Sequence, residues 1–386
     1  MIYYSHLTTA VQLLRDYTGE QPFDIFVKDF FRQNKKYGSK DRKNILQLCY
    51  ACLRMGKTTA GVSIEDNIKI GLFLCSSSPN ALLQFLSPEW NEQAALPFDQ
   101  KLAVVGLSSA EGFPWKGDLS EGIDYEKFNQ SFFIQPDLFL RLRPGREMQV
   151  KEKLAAAEIP FEEIDTDCLA LPNASKISEV ITINKEAVIQ DYNSQQTGKL
   201  LQSAIVNRES VIHSVWDCCA ASGGKSIMVY DLLKDIELTV SDKRQSILGN
   251  LIERFAEAGI KNYEAFVGNL THPLRDAQFP TYDLIIADVP CSGSGTWSRT
   301  PEQLAFFDVK EIDQYNALQT KIISNVIPQL KKGGILLYIT CSVFKKENEE
   351  VVRYITEHYT LKLQTMQLLK GYEKKADTLF AAVFTA

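Results

Sequence analysis

The 386-residue chain predicts an α/β protein, with a doubly wound, mostly parallel sheet in its C-terminal half. An N-terminal helical domain and a small α+β module are expected to precede that sheet. Three observations carry the prediction. From Val211 onward, continuous apolar runs such as YDLIIAD and GILLYIT alternate with helical segments, the pattern of strands covered on both faces. Up to about residue 108, apolar residues recur at intervals of three and four, as helices require. Between these regions, DLFLRLRP alternates apolar and basic side chains as a half-exposed strand does. The expected boundaries are 1–125 for the helical domain and linker, 126–195 for the module and 196–386 for the sheet domain.

The helical domain reads as Leu7–Tyr17, Ile25–Gln33, Asp41–Met55 and Ile64–Leu74. Ser39 follows the Tyr37-Gly38 break and stands where an N-cap would start the third helix. The segment Glu111–Tyr125 carries three glycines, a proline and several acids, and is the best linker candidate. In the module, a helix over Arg146–Ala157 is followed by short strands around Phe161 and over Cys168–Leu171, ending near QDYNSQQTGKLL. The sheet domain then runs strand SVIHSVWD, helix GGKSIMVYDLLK, strand IELTVSD, helix RQSILGNLIERFAEAG, strand YEAFVG and strand YDLIIAD. A helix over Glu311–Leu330, the strand GILLYIT, a helix over Asn348–His358 and strand-like runs Leu361–Leu368 and Thr378–Thr385 complete it. Ligands of such a sheet bind beyond the carboxyl ends of its strands.

Composition narrows the class. With 45% hydrophobic and 23% charged residues, a mainly disordered or low-complexity chain is excluded. No apolar run approaches the ~20 residues that span a bilayer, and MIYYSHLTTAVQLLRDY lacks a basic head before an apolar core. A cytoplasmic, monomeric protein without a membrane partner is the expectation. The 8 cysteines then read as thiols. Cys49 and Cys52 have CxxC spacing, but they fall inside the amphipathic NILQLCYACLRM, so buried core thiols are favoured over a zinc site. The net charge of −6 does not mark a nucleic-acid binder. Locally, however, Lys/Arg outnumber Asp nine to three between Asp24 and Lys57, which is either a solvated face or a phosphate-tracking surface.

Chemistry concentrates at three strand ends. DCCAASGGKS, Asp217–Ser226, follows the first strand of the sheet domain. A glycine pair before a helix lets backbone approach a ligand and directs free N–H groups at it. A phosphate-binding P-loop would need glycine where Cys219 stands, so that cradle is incomplete. Asp242 at the end of the second strand favours a nucleoside cofactor, since an acid there accepts hydrogen bonds from ribose hydroxyls; a helix N-cap is the plainer role. ADVPCSGSGTWSRTPE places Asp288 and Cys291 at the fourth strand end, and TCS places Cys341 at the fifth. Two cysteines, an aspartate and the glycine loop are expected to converge, with Lys225 the cation able to lower a thiol pKa. Zinc held by Cys218, Cys219, Cys291 and Cys341 is disfavoured by the lack of paired spacing, so no metal is expected.

DCCAASGGKS, DVPCSGSG and TCSVFKKENEE resemble, in order and spacing, the motifs of the RsmB/Sun family of S-adenosylmethionine-dependent RNA cytosine-5 methyltransferases. The resemblance covers residues 185–386. KYGSKDRKNILQLCYACLRM is similar to the end of the NusB-like helical domain of bacterial members, and QDYNSQ to the segment leading into the catalytic domain. The resemblance implies a Rossmann-like methyltransferase sheet, S-adenosylmethionine as cofactor, and RNA as partner, ribosomal before transfer RNA. It implies Cys341 as the nucleophile adding to carbon 6 of cytosine and Cys291 as the thiol that helps expel the enzyme. Asp288 would hold the cytosine edge and Lys225 would order that carboxylate. Cofactor contacts are implied for Cys219, Ala220, Ala221, Ser222, Gly223, Gly224, Lys225, Asp242, Arg244, Asn269 and Asp288.

Trp297 and Arg299 follow the glycine loop, where they could clamp RNA or simply pack. Ser222 stands where the family has proline, a change expected to loosen the loop without removing a contact. The last strand opens Asp377-Thr378-Leu379-Phe380 in place of the family's aspartate-glycine-phenylalanine-phenylalanine run. Asn269 stands where many methyltransferases place an aspartate against adenine. With an acidic net charge, RNA contact would rest on local patches: Arg141, Arg143 and Arg146, and the Lys28–Lys57 region.

Overall fold

The computed structural model describes residues 2–58, 62–206, 211–274 and 279–386. They form two compact units, one comprising Met1–Gly117, Asp124–Gln135 and Thr296–Val309, the other Asp118–Ile123, Pro136–Gly295 and Lys310–Ala386.

The first unit is helical. Its longer helices are Ile2–Asp16, Phe23–Gln33, Ser39–Leu53 and Ile64–Cys75. Phe23, Ile45, Leu48, Phe73 and Leu83 are completely buried in its core. Gly71 permits the tightest approach, because a Cβ there would collide with the Ala51 carbonyl on the neighbouring helix. Cys49 and Cys52 pack in this core, and burial pushes both thiols up, Cys52 to about 12. Ser39 is not the cap expected of it. Gly38 holds the N-cap position, and the Asp41 carboxylate accepts its N–H at 3.0 Å from one turn into the helix.

Two parts of the sequence reading change here. Glu111–Tyr125 is not a free linker: Phe113 is fully buried and stacks with Phe132, while Trp115 meets it edge-on. Thr296–Val309, expected within the sheet domain, belongs to the helical unit. Trp297 is 1% exposed there, with Phe113, Trp115 and Phe307 around its ring, so packing is its role in this fold.

The second unit holds two sheets. In the smaller, β1 (Leu138–Leu142), β2 (Glu162–Asp165), β3 (Cys168–Leu171) and β4 (Ala187–Ile189) run in the order β2-β3-β1-β4 with antiparallel pairing. β4 was not legible in sequence, because three residues carry no usable periodicity. The larger contains β5 (Ser214–Asp217), β6 (Glu237–Asp242), β7 (Tyr263–Val267), β8 (Tyr282–Asp288), β9 (Leu330–Thr340), β10 (Lys362–Leu369) and β11 (Leu379–Thr385). Its order is β10-β11-β9-β8-β5-β6-β7. The five strands β5 to β9 pair in parallel, and β11 and β10 add antiparallel at one edge.

Apolar side chains on both faces explain the continuous runs. Val215, Val240, Ile286, Leu337 and Val383 face one core; Trp216, Ile285, Leu336, Tyr338 and Phe384 face the other. The chain leaves β5 toward β6 and β7, then returns to β8 on the opposite side. This order reversal puts the topological switch point between β5 and β8, at whose carboxyl ends ligands of such sheets bind.

Arg141 and Arg143, expected as an RNA-facing patch, are struts inside this unit. Arg141 is 5% exposed and donates to Asp231 at 2.8 Å and Gln190 at 2.8 Å. Arg143 donates to both oxygens of Asp231 and to the Asn184 and Ala258 carbonyls. Arg146 is exposed, and its side chain reaches Gln149 at 3.3 Å.

Candidate active site

The turn after β5 is shaped by backbone that side chains rarely adopt. Ala221 has φ +46° and Gly223 φ +82°, and a Cβ on Gly223 would strike Phe255 and Leu251. This lets residues 219–223 fold over the sheet before the helix Gly224–Leu233 begins. Two bonds tie the turn to β6: Ala220 N–H donates to the Ser241 carbonyl at 2.9 Å and Ala221 N–H to the Asp242 carboxylate at 3.2 Å. Ser222, in the family's proline position, is held by a side chain. Arg254 donates to the Ser222 hydroxyl at 2.7 Å and its carbonyl at 3.0 Å, while its Nε reaches Asn184 at 3.1 Å. A side-chain tether thus takes the place of the stiffness proline would supply.

Asp242 is 6% exposed and accepts from the Arg244 backbone N–H and Nε, each at 2.9 Å. Burial raises its pKa, but the bonds from Arg244 and Ala221 outweigh it and hold the carboxyl below its usual range. Gly268 N–H donates to the Asp242 carbonyl at 3.1 Å, bringing Asn269 beside the same strand end. Asn269 is exposed, and its Oδ1 accepts from Thr271 N–H at 3.2 Å and from the Thr271 hydroxyl at 2.8 Å.

At the switch point, Lys225 donates to Asp288 at 2.7 Å. Burial alone would lower the Lys225 pKa; the Asp288 charge and hydrogen bond reverse that and raise it, so the ammonium stays charged. Asp217, ending β5, accepts from the Ser226 hydroxyl at 2.6 Å, and its other oxygen is buried without a hydrogen-bond partner. Burial, helped by the Asp288 charge against the Ser226 bond, pushes its carboxyl up to about 7.

The two cysteines meet. Cys291 Sγ and Cys341 Sγ lie 3.1 Å apart as free thiols, and Cys341 N–H points at Cys291 Sγ at 3.3 Å. Their strands bring them there: Asp288 pairs with Ile339 across β8 and β9, so each cysteine sits just past the sheet edge. The Cys341 hydrogen bond, burial and the charges of Cys341 and Glu347 hold the Cys291 thiol well above its ordinary range. Gly295 locks the arrangement. Its N–H donates to the Cys341 carbonyl at 2.9 Å, its carbonyl accepts from Thr378 N–H at 2.9 Å, and a Cβ would collide with the Thr378 carbonyl. The altered opening of the last strand therefore still seats the loop.

The structure brings together Lys225, Asp288, Cys291 and Cys341, with residues 219–224, Asp242, Arg244 and Asn269 along the adjoining strand ends. Sequence reasoning missed a layer beneath them. Glu347 and Asn348, near the end of the TCSVFKKENEE motif, are completely buried, as is Gln319. The sequence signal for Glu347 and Asn348 was their place in TCSVFKKENEE, from which no role was assigned to either. Among the described residues no cluster of metal-ligating side chains occurs.

Residues 203–381 match the family model described as 16S rRNA methyltransferase RsmB/F. Ribosomal RNA small subunit methyltransferase B of Pasteurella multocida is 28% identical over 242 residues, which are 60% of this chain and 53% of that protein. The tRNA (cytosine(72)-C(5))-methyltransferase NSUN6 of Mus musculus is 31% identical over 172 residues, 41% of this chain and 36% of that one. The chain thus spans about half or less of the length of these relatives. A solved methyltransferase homolog from Pyrococcus horikoshii shares the fold at TM-score 0.58 and 20% identity, over 74% of this chain and 97% of its own. Residues 203–381, on a Rossmann-like methyltransferase sheet, are thus similar to the RsmB/F family of RNA methyltransferases.

Proposed function

We propose that this chain is an RNA methyltransferase that moves a methyl group from S-adenosylmethionine to carbon 5 of a cytosine, in ribosomal RNA first, through a covalent cysteine adduct. The observation that carries the reading is the pair of thiols 3.1 Å apart beside the Lys225–Asp288 ion pair. A non-catalytic RNA-binding factor has no chemical use for that arrangement. The donor set also suits the cofactor: a buried carboxylate at the β6 end for ribose hydroxyls, and backbone N–H groups of the 219–224 turn at a helix start for a carboxylate. When bound, S-adenosylmethionine supplies an electrophilic methyl group.

The target base must leave its stack to reach thiols in a crevice. Cys341 adds as thiolate to carbon 6, forming a C–S bond and shifting the ring electrons toward carbon 5 while N3 takes up a proton from water, later returned to it. Asp288 holds the N3–H and exocyclic amine of that ring, and Lys225 holds Asp288. After methylation, carbon 5 loses its proton to water, and those electrons restore the C5=C6 bond. The C–S bond breaks, N3 releases its proton, and the Cys291 thiol donates its proton to the departing Cys341 sulfur. The pair then again shares one proton. The 126–195 segment and the helical unit serve as RNA-contacting parts, with exposed Lys35, Lys36, Lys40 and Lys43 as the phosphate-facing run.

Transfer RNA is the second reading, favoured by the similarity to a tRNA methyltransferase. Bisulfite sequencing of total RNA from cells with and without the gene tests both. One protected cytosine lost on deletion is expected, and its molecule names the substrate; unchanged protection everywhere would reject the activity.

A further inference from the structure

The two thiols sit on separate loops, and something must set their spacing. Beside the Ser292 and Ser294 hydroxyls, which meet the Ser342 hydroxyl at 3.2 Å, the completely buried Glu347 touches both loops. One carboxylate oxygen accepts from Ser292 N–H at 2.9 Å, directly after Cys291. The same oxygen accepts from Gln319 Nε2 at 2.9 Å, and that amide also reaches the Pro290 carbonyl at 3.1 Å, directly before Cys291. The other oxygen takes the Ser342 hydroxyl at 2.6 Å, directly after Cys341. The Glu347 backbone is fixed in turn, since the Tyr338 hydroxyl of β9 donates to its carbonyl at 2.6 Å.

This is an unusual way to use a carboxylate. No ion pair among the described residues includes Glu347, and its pKa is raised, burial outweighing the hydrogen bonds from Ser292, Ser342 and Gln319. A purely structural bridge would be cheaper with a neutral amide. Its charge instead falls on Cys291, where it helps keep the proton on that sulfur.

Resting on the two-cysteine reading above, we propose that Glu347 is the positioning residue of that reaction: it sets the register of the Cys291 and Cys341 sulfurs and keeps Cys291 the proton donor of the pair. Glutamine separates the two effects. Its carbonyl oxygen can accept from Ser292 and Gln319, and its NH2 can donate to the Ser342 hydroxyl, so geometry survives while charge is lost. Alanine loses both.

The test uses the full chain, total RNA from cells lacking the gene, and S-adenosylmethionine carrying a radioactive methyl group. Glu347→Ala is expected to lower kcat about 100-fold, as a misplacement of reacting groups by about 1 Å does. KM for S-adenosylmethionine and the thermal shift it produces should stay at wild-type values. Glu347→Ala should also accumulate RNA–protein adduct on denaturing gels, because addition outlasts release. Glu347→Gln should recover most of the kcat and still show more adduct than wild type. Wild-type kcat in Glu347→Ala, or a loss of kcat matched by loss of cofactor-induced stabilisation and no adduct, overturns the assignment. Cys341→Ala serves as the control: if it keeps turnover, the two-cysteine reading itself fails, whatever Glu347 does.

Discussion

At the scale of single residues, environment decides which of several similar groups does chemistry. Asp217, Asp242 and Asp288 all end strands of one sheet, yet they are driven apart. Asp242 is held ionised by Arg244, Asp288 is paired with Lys225, and Asp217 is forced toward its neutral form by burial. The last has a measurable consequence. Between the ordinary carboxylate range and about 7, the unfolded chain ionises Asp217 while the folded chain keeps it protonated. Stability contributed by this group is therefore complete at low pH and is lost as pH rises through about 7. Asp217→Asn, whose amide oxygen can still accept from Ser226, should remove that dependence. The difference in Tm between wild type and variant is expected to shift against wild type from pH 5 to pH 7 and level off above it. A pH-independent difference would show that Asp217 is ionised throughout.

At the scale of elements, the α+β segment and the methyltransferase sheet are joined by charge inside one unit. Asp231, on the helix that follows the 219–223 turn, is 7% exposed and meets Arg141 from β1 and Arg143 just beyond it. Taking one partner from such a site leaves buried guanidinium groups uncompensated, at a cost of about 3–5 kcal/mol. Asp231→Ala should lose about that much in urea unfolding, and Asp231→Asn, which keeps hydrogen bonds but not charge, should lose less. Equal and small losses would mean that the pair is solvated and that the arginines remain available to RNA. This strut is also where sequence reading goes wrong for a physical reason. DLFLRLRP alternates, so its arginines read as the wet face of a half-exposed strand, whereas a second element covers that face.

At the scale of the whole molecule, the large sheet was legible because strands buried on both faces leave continuous apolar runs, and so were the site residues that end them. The cysteines could be placed from the strand order alone, since neighbouring parallel strands put their carboxyl ends side by side. What stayed hidden depends on distant parts of the chain. Thr296–Val309 follows directly on the site loop, yet it belongs to the helical unit, where Trp297 is buried among aromatic rings. Glu347 was assigned no role from sequence, because its partners Ser292, Gln319 and Ser342 come together only in the fold. The proposed reaction needs two thiols with different jobs, one adding to the base and one releasing it. The most direct measurement is a denaturing gel of Cys291→Ala after incubation with total RNA from gene-deleted cells and S-adenosylmethionine. A methylated RNA–protein adduct is expected, and it should vanish in the Cys291→Ala, Cys341→Ala double variant. Free methylated RNA at wild-type turnover from Cys291→Ala, or an adduct that persists without Cys341, would contradict it.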